Sequence, residues 1–137
     1  MIKIPRLIID EMVSHAKAEF PIECCGLLAG RDQEVTRFYK LTNKDRSSNT
    51  YLMDSKEQFE AFKEFREKDI DLLAIYHSHI RSRAYPSKTD VRLAYYPDPH
   101  YIIISLEDIK NIDIKAFKIN EEIITEGEIK VICKDAV

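Results

Sequence analysis

Two short, mainly apolar runs, Leu72 to Tyr76 and Tyr101 to Leu106 with its IIIS core, constrain this chain more than any other feature. Each is too short for a typical helix and has no polar partner residues to alternate with, so each reads as a strand buried inside a sheet. Between them the sequence predicts a short helix over about 88–96, stopped by Pro97-Asp98-Pro99. Strand, helix, strand in that order predicts an α/β fold, a mixed central sheet flanked by helices.

The rest of the chain fits that plan. Pro5 opens a helix in which Ile8, Ile9, Met12, Val13, Ala16 and Phe20 recur at helical spacing, ending near Phe20-Pro21. Cys24 to Ala29 and Glu34 to Leu41, joined through Gly30-Arg31-Asp32, read as a hairpin, and Asn43 to Asn49 as a polar loop. Asp54 followed by Glu57 resembles a capping box, with a helix over about 55–68 whose Phe59, Phe62 and Phe65 are expected in the core. From Ile112 onward the alternation predicts two more strands, with an irregularity at Gly127.

A chain of 137 residues is read as one domain, 1–137, large enough to bury a core unaided. Its net charge of −3 carries no basic block, which excludes a nucleic-acid partner. Three cysteines in no regular framework argue against a disulfide-stapled secreted domain. The opening MIKIPRLIIDEM lacks an apolar signal core and no apolar run reaches membrane-spanning length, so the expectation is a cytoplasmic protein with no membrane partner.

The chemistry concentrates in YHSHIRSRAYPSKTD, Tyr76 to Asp90. Residues i and i+2 of a strand share a face, so His77 and His79 present their rings side by side where the first apolar strand runs out. That arrangement suits a metal, and Asp90 supplies an anionic oxygen as third ligand, leaving a position for water. Ser87-Lys88-Thr89-Asp90 also reads as a helix N-terminus with Ser87 as N-cap. Both readings can hold, because a capped first turn fixes Asp90 beside the strand end. A hydrolytic centre needs a group to manage the water's proton, and Glu23, just before the strand Cys24 to Ala29, is the candidate.

His77-Ser78-His79, seven residues, Ser87, two residues, Asp90 resembles the His-x-His-x7-Ser-x2-Asp signature of the JAMM (MPN+) metallopeptidases, the Mov34/MPN/PAD-1 family. Glu23 ahead of Cys25-Gly26-Leu27-Leu28-Ala29-Gly30 is similar to the family's upstream glutamate and strand. The resemblance runs from about 21 to 106, and AYPSKTDVRLAYYPD looks like the compact prokaryotic branch that processes ubiquitin-like sulfur-carrier proteins. It implies a single MPN/JAB-type domain, Zn2+ held by His77, His79 and Asp90, Glu23 as general acid/base, and Ser87 as hydrogen-bond donor to the oxyanion. The implied partner is a ubiquitin-like or sulfur-carrier protein ending in Gly-Gly, cut after that Gly-Gly to release cysteine or a short extension. A deubiquitinase-like isopeptidase acting on lysine conjugates and a non-catalytic MPN scaffold are the alternatives, and the intact residue set disfavours the scaffold. Ile80 stands where many relatives carry proline, which removes no functional group.

Arg81 and Arg83, in the loop beside the expected metal, are candidate substrate contacts. Cys24 and Cys25 read as small apolar strand residues. His15 and His100 lack spaced partners and read as structural or surface groups. Cytidine-deaminase chemistry would want His-x-Glu and Pro-Cys-x-x-Cys, and both strings are missing.

Overall fold

The computed structural model describes residues 1–133. Its elements are β1 (Ile2–Pro5), α1 (Arg6–Glu19), β2 (Cys25–Arg31), β3 (Glu34–Leu41), α2 (Ser55–Lys68), β4 (Asp71–His79), α3 (Lys88–Arg92), β5 (His100–Ser105), β6 (Asp113–Asn120), β7 (Ile123–Gly127) and β8 (Ile129–Ile132). The described strands form one eight-stranded sheet in the order β7-β6-β5-β4-β2-β3-β1-β8. β4 and β5 run parallel, as do β1 with β8 and β1 with β3, while the remaining pairs are antiparallel. The mixed sheet expected of the two apolar runs is present, and those runs lie side by side near its middle.

Strand alternation divides the apolar residues between two faces. Leu28, Ala74, Tyr76, Ile102 and Ile104 pack with Ile9, Met12 and Ala16 of α1, whereas Leu27, Ile75 and Ile103 pack with Ala61 and Phe65 of α2. Each fully buried Leu or Ile contributes about 1.5–3 kcal/mol, so the central strands are the stable frame on which the site stands. Gly26 keeps β2 close to its neighbours: a Cβ there would lie 2.3 Å from the Tyr76 ring and 2.4 Å from the Tyr39 carbonyl oxygen.

Several expectations need correction. Pro5 ends β1 and caps α1 from outside, because the first residues join a parallel pair with β8 that local pattern does not announce. Asp54 accepts from the N–H groups of Lys56 and Glu57, but the Glu57 carboxylate does not close the box; it accepts from the Thr42 N–H at 2.7 Å and hydroxyl at 2.9 Å. Phe65 is core, whereas Phe59 is 64% exposed on the outer side of α2. Phe20 lies past the end of α1 and is exposed. α3 ends at Arg92, and the Tyr96 N–H beyond it is taken by the Tyr101 hydroxyl at 3.0 Å. The C-terminal part forms three strands, with Gly127 closing β7.

Candidate metal centre

β4 is sandwiched between β2 and β5, with His77 opposite Cys25 and Ile103, and His79 opposite Ser105. Strand alternation puts both imidazoles on the face of Ile75, and both are buried. Ser78 points to the other face, where its Oγ accepts from the Cys24 N–H at 2.8 Å and so ties β4 to the start of β2.

Asp90 arrives from the first turn of α3. The Ser87 hydroxyl accepts from the Asp90 N–H at 3.0 Å and Asp90 Oδ2 accepts from the Ser87 N–H at 2.9 Å, a complete capping box. The same Oδ2 lies 3.2 Å from His77 Nε2 and 2.9 Å from His79 Nε2. Both imidazoles thus aim one nitrogen at one carboxylate oxygen. The three ligand atoms lie within 4.8 Å of one another, and two imidazole nitrogens with one carboxylate oxygen suit a divalent transition ion and leave a coordination position open.

Behind this cluster the imidazoles are oriented by their neighbours. His79 Nδ1 lies 2.9 Å from the Arg83 carbonyl oxygen and 3.0 Å from the Ser82 hydroxyl, and the Ser105 hydroxyl donates to the Ser82 carbonyl at 2.7 Å. A donor bond from Nδ1 leaves Nε2 to face the centre. Over His77 lies the Tyr51 ring, stacked at 4.5 Å between centroids and 28° between planes. Tyr51 also begins an apolar cavity of about 170 Å³, shared with Met53, Ile75, Leu93, Tyr96 and Tyr101.

The charges respond to burial and to each other. Burial alone would raise the Asp90 pKa, but the hydrogen bonds from His77, His79 and the Ser87 N–H reverse that and hold the carboxyl well below the usual carboxylate range. Burial also pulls at His79, where the bonds to Asp90 and the Arg83 carbonyl outweigh it and raise the pKa; in His77 burial wins and lowers it. Glu23 is only 4% exposed, and its Oε1 has no hydrogen-bond partner among the described residues. Burial pushes its pKa up to about 8; the Asp90 charge adds to the push and the His79 charge opposes it. A cation among His77, His79 and Asp90 would favour the Glu23 carboxylate.

The sequence-predicted residues His77, His79 and Asp90 are therefore brought together, with Glu23 close enough to feel the charges of His79 and Asp90. Ser87 stands at the cap with its own hydroxyl proton left to donate. The Arg83 guanidinium stacks 4.7 Å over the Tyr85 ring, and the main-chain carbonyl of Arg83 meets His79 Nδ1; Arg81 is exposed. Cys24 and Cys25 are buried in the two cores, where burial pushes both thiols up. His15 is a buried structural group, its Nδ1 2.7 Å from the Tyr76 hydroxyl. Tyr51, Ser82 and Ser105 escaped sequence reasoning: a tyrosine after a polar loop and serines near strand ends carry no spacing signal.

Residues 5–120 match the family described as prokaryotic homologs of the JAB domain. The chain belongs to that family. It is a prokaryotic member of the JAMM/MPN group, and Glu23, His77, His79, Ser87 and Asp90 all lie inside the matched span. It is 36% identical over 127 residues to the CysO-cysteine peptidase of Mycobacterium tuberculosis, covering 91% of this chain and 87% of that protein. To a protein of Thermus thermophilus described as a "probable TtuB-protein conjugate cleaving protease" it is 37% identical over 108 residues, 78% of this chain and 72% of the other. The solution structure of a Desulfitobacterium hafniense protein superposes with a TM-score of 0.89 at 37% identity, covering 98% and 94% of the two chains. Among the described residues no helix is long and apolar enough to cross a membrane.

Proposed function

We propose that this member of the JAB family is a zinc-dependent hydrolase that cuts the amide bond after the C-terminal Gly-Gly of a ubiquitin-like sulfur-carrier protein, releasing cysteine or a short extension. The observation that carries the reading is the 36% identity, over 91% of the chain, to a CysO-cysteine peptidase. The buried convergence of His77 and His79 on Asp90 beside Glu23 supplies the chemistry.

In this reading His77, His79 and Asp90 hold the metal, which when bound supplies Lewis acidity to the attacking water and to the scissile carbonyl. Glu23 takes the proton from the water and returns it to the leaving amine. A bound cation would favour its carboxylate, which accepts the proton, while burial, which pushes its pKa up, favours the acid form that releases it. Ser87 donates its hydroxyl to the oxyanion, while its Oγ lone pair stays with the Asp90 N–H. The extended tail of the carrier runs from the centre past Tyr51 and the apolar cavity behind it. Glycine at the scissile end allows close backbone approach.

The second reading is an isopeptidase that removes such a modifier from lysine, favoured by the 37% identity to the Thermus thermophilus protein. Mass spectrometry separates the two. A carrier ending in Gly-Gly-Cys, incubated with the zinc-loaded protein, is expected to lose its terminal residue. A carrier left intact, with a lysine-linked conjugate cut efficiently, would establish the isopeptidase instead.

A further inference from the structure

We infer that Asn43 is a positioning residue, holding the Glu23 backbone and the Tyr51 wall in one bracket beside the metal centre. The inference rests on the role proposed above for Glu23.

Glu23 lies outside the regular ladder of β2, which starts at Cys25, so the sheet does not fix its main chain. The segment after β3 does so instead. The Asn43 Nδ2 donates to the Glu23 carbonyl at 3.0 Å, and the Glu23 N–H donates to the Ser47 carbonyl at 2.9 Å. Both backbone groups of Glu23 are thereby tied to one short stretch.

The same amide shapes that stretch. Its second Nδ2 proton goes to the Thr50 carbonyl at 3.0 Å, and Oδ1 accepts from the N–H groups of Asp45 and Leu52, each at 3.0 Å. A primary amide offers two donors and two acceptor lone pairs, and here all four are used, on a side chain only 7% exposed. The pattern fixes the amide's orientation, since a flip would set oxygen against two carbonyls and NH2 against two N–H groups. Thr50 and Leu52 flank Tyr51, so the ring over His77 hangs between two residues that Asn43 holds. An antiparallel bridge between Asn43 and Met53 closes the bracket.

Loss of this amide would therefore misplace Glu23 against a metal centre that stays intact. Asn43→Asp is the informative variant: it keeps the Oδ1 acceptor but sets a carboxylate oxygen against the Glu23 and Thr50 carbonyls. In the zinc-loaded full chain, on the carrier conjugate that the unsubstituted protein cuts, kcat is expected to fall at least about tenfold, because small misplacements of reacting groups are costly. The loss should fall on kcat more than on KM, which shifts only as far as the Tyr51 wall moves, and zinc content should stay unchanged. Added to Glu23→Gln, the same substitution should lower kcat by less than about twofold, since both act through one group. Assays run well below the melting temperature of each variant, and Asn43→Ser replaces Asn43→Asp if the latter does not fold. An unchanged kcat, an equal loss in both backgrounds, or a loss that tracks missing zinc overturns the inference. If Glu23→Gln itself turns over normally, the role of Glu23 falls first and the inference falls with it.

Discussion

The cluster of His77, His79 and Asp90 and the Glu23 bracket meet at one end of the sheet, yet they are assembled in opposite ways. His77, His79 and Asp90 come from a strand end and the next helix start; alternation aims the imidazoles and a capping box aims the carboxylate. Glu23 and Tyr51 come from two segments with no regular element in common, and side-chain-to-backbone bonds set their places. The first arrangement follows wherever β4 and α3 form. The second depends on tertiary hydrogen bonds, so under the proposed function it is where turnover should be lost while metal is kept.

The largest expected effects test that separation directly. His79→Ala should abolish stoichiometric zinc binding and bring hydrolysis to background, whereas Glu23→Gln should keep zinc and lose roughly a hundred- to ten-thousand-fold in rate, the usual range for a general acid/base. Zinc analysis and turnover on the same preparations decide this, and a zinc-free Glu23→Gln protein would erase the distinction. Ser87→Ala should come next, slowing turnover about a hundred- to a thousand-fold if its hydroxyl serves the oxyanion. Because Ser87 is also the cap of α3, the same variant should lose about 1 kcal/mol of stability, read by chemical denaturation. Loss of stability with full turnover would reduce Ser87 to a cap.

The smallest effect lies away from both regions. His100 is buried, and burial, then the charges of Lys118 and the chain N-terminus, push its pKa down to about 4. The unfolded chain takes up that proton near pH 6.5, so between 6.5 and 4 it binds more protons than the folded protein. The stability linked to His100 is complete above pH 6.5 and declines as pH falls through that window. Denaturant midpoints at pH 7.5 and 5 should converge in His100→Gln relative to the unsubstituted protein; an identical pH dependence in the two would remove His100 as the cause.

Much of this was legible before the fold was known, where one element decides the outcome. α2 falls on 55–68 as its cap and period predict, the hairpin of β2 and β3 forms, and the two apolar runs become β4 and β5. Phe59 was misplaced because helical spacing allows more than one apolar face, and α2 buries the one carrying Ala61 and Phe65. β1 escapes the sequence pattern because its four residues gain their partners only in the folded sheet, from β3 and from β8 at the far end of the chain.

The sequence by itself determined that His77 and His79 share a face of β4 and that Asp90 sits in the capped first turn of α3, since strand alternation and helix capping are local rules that act within a few residues. It also determined the two-faced burial of the central strands, which follows from short runs with apolar residues at successive positions. Only the tertiary structure decided that Asp90 would meet both imidazoles, that burial would push the Glu23 pKa up to about 8, that Tyr51 would stack on His77, and that the Arg83 guanidinium would lie over Tyr85. Burial and ring stacking depend on segments brought together from different parts of the chain, and residue spacing carries no record of that distance.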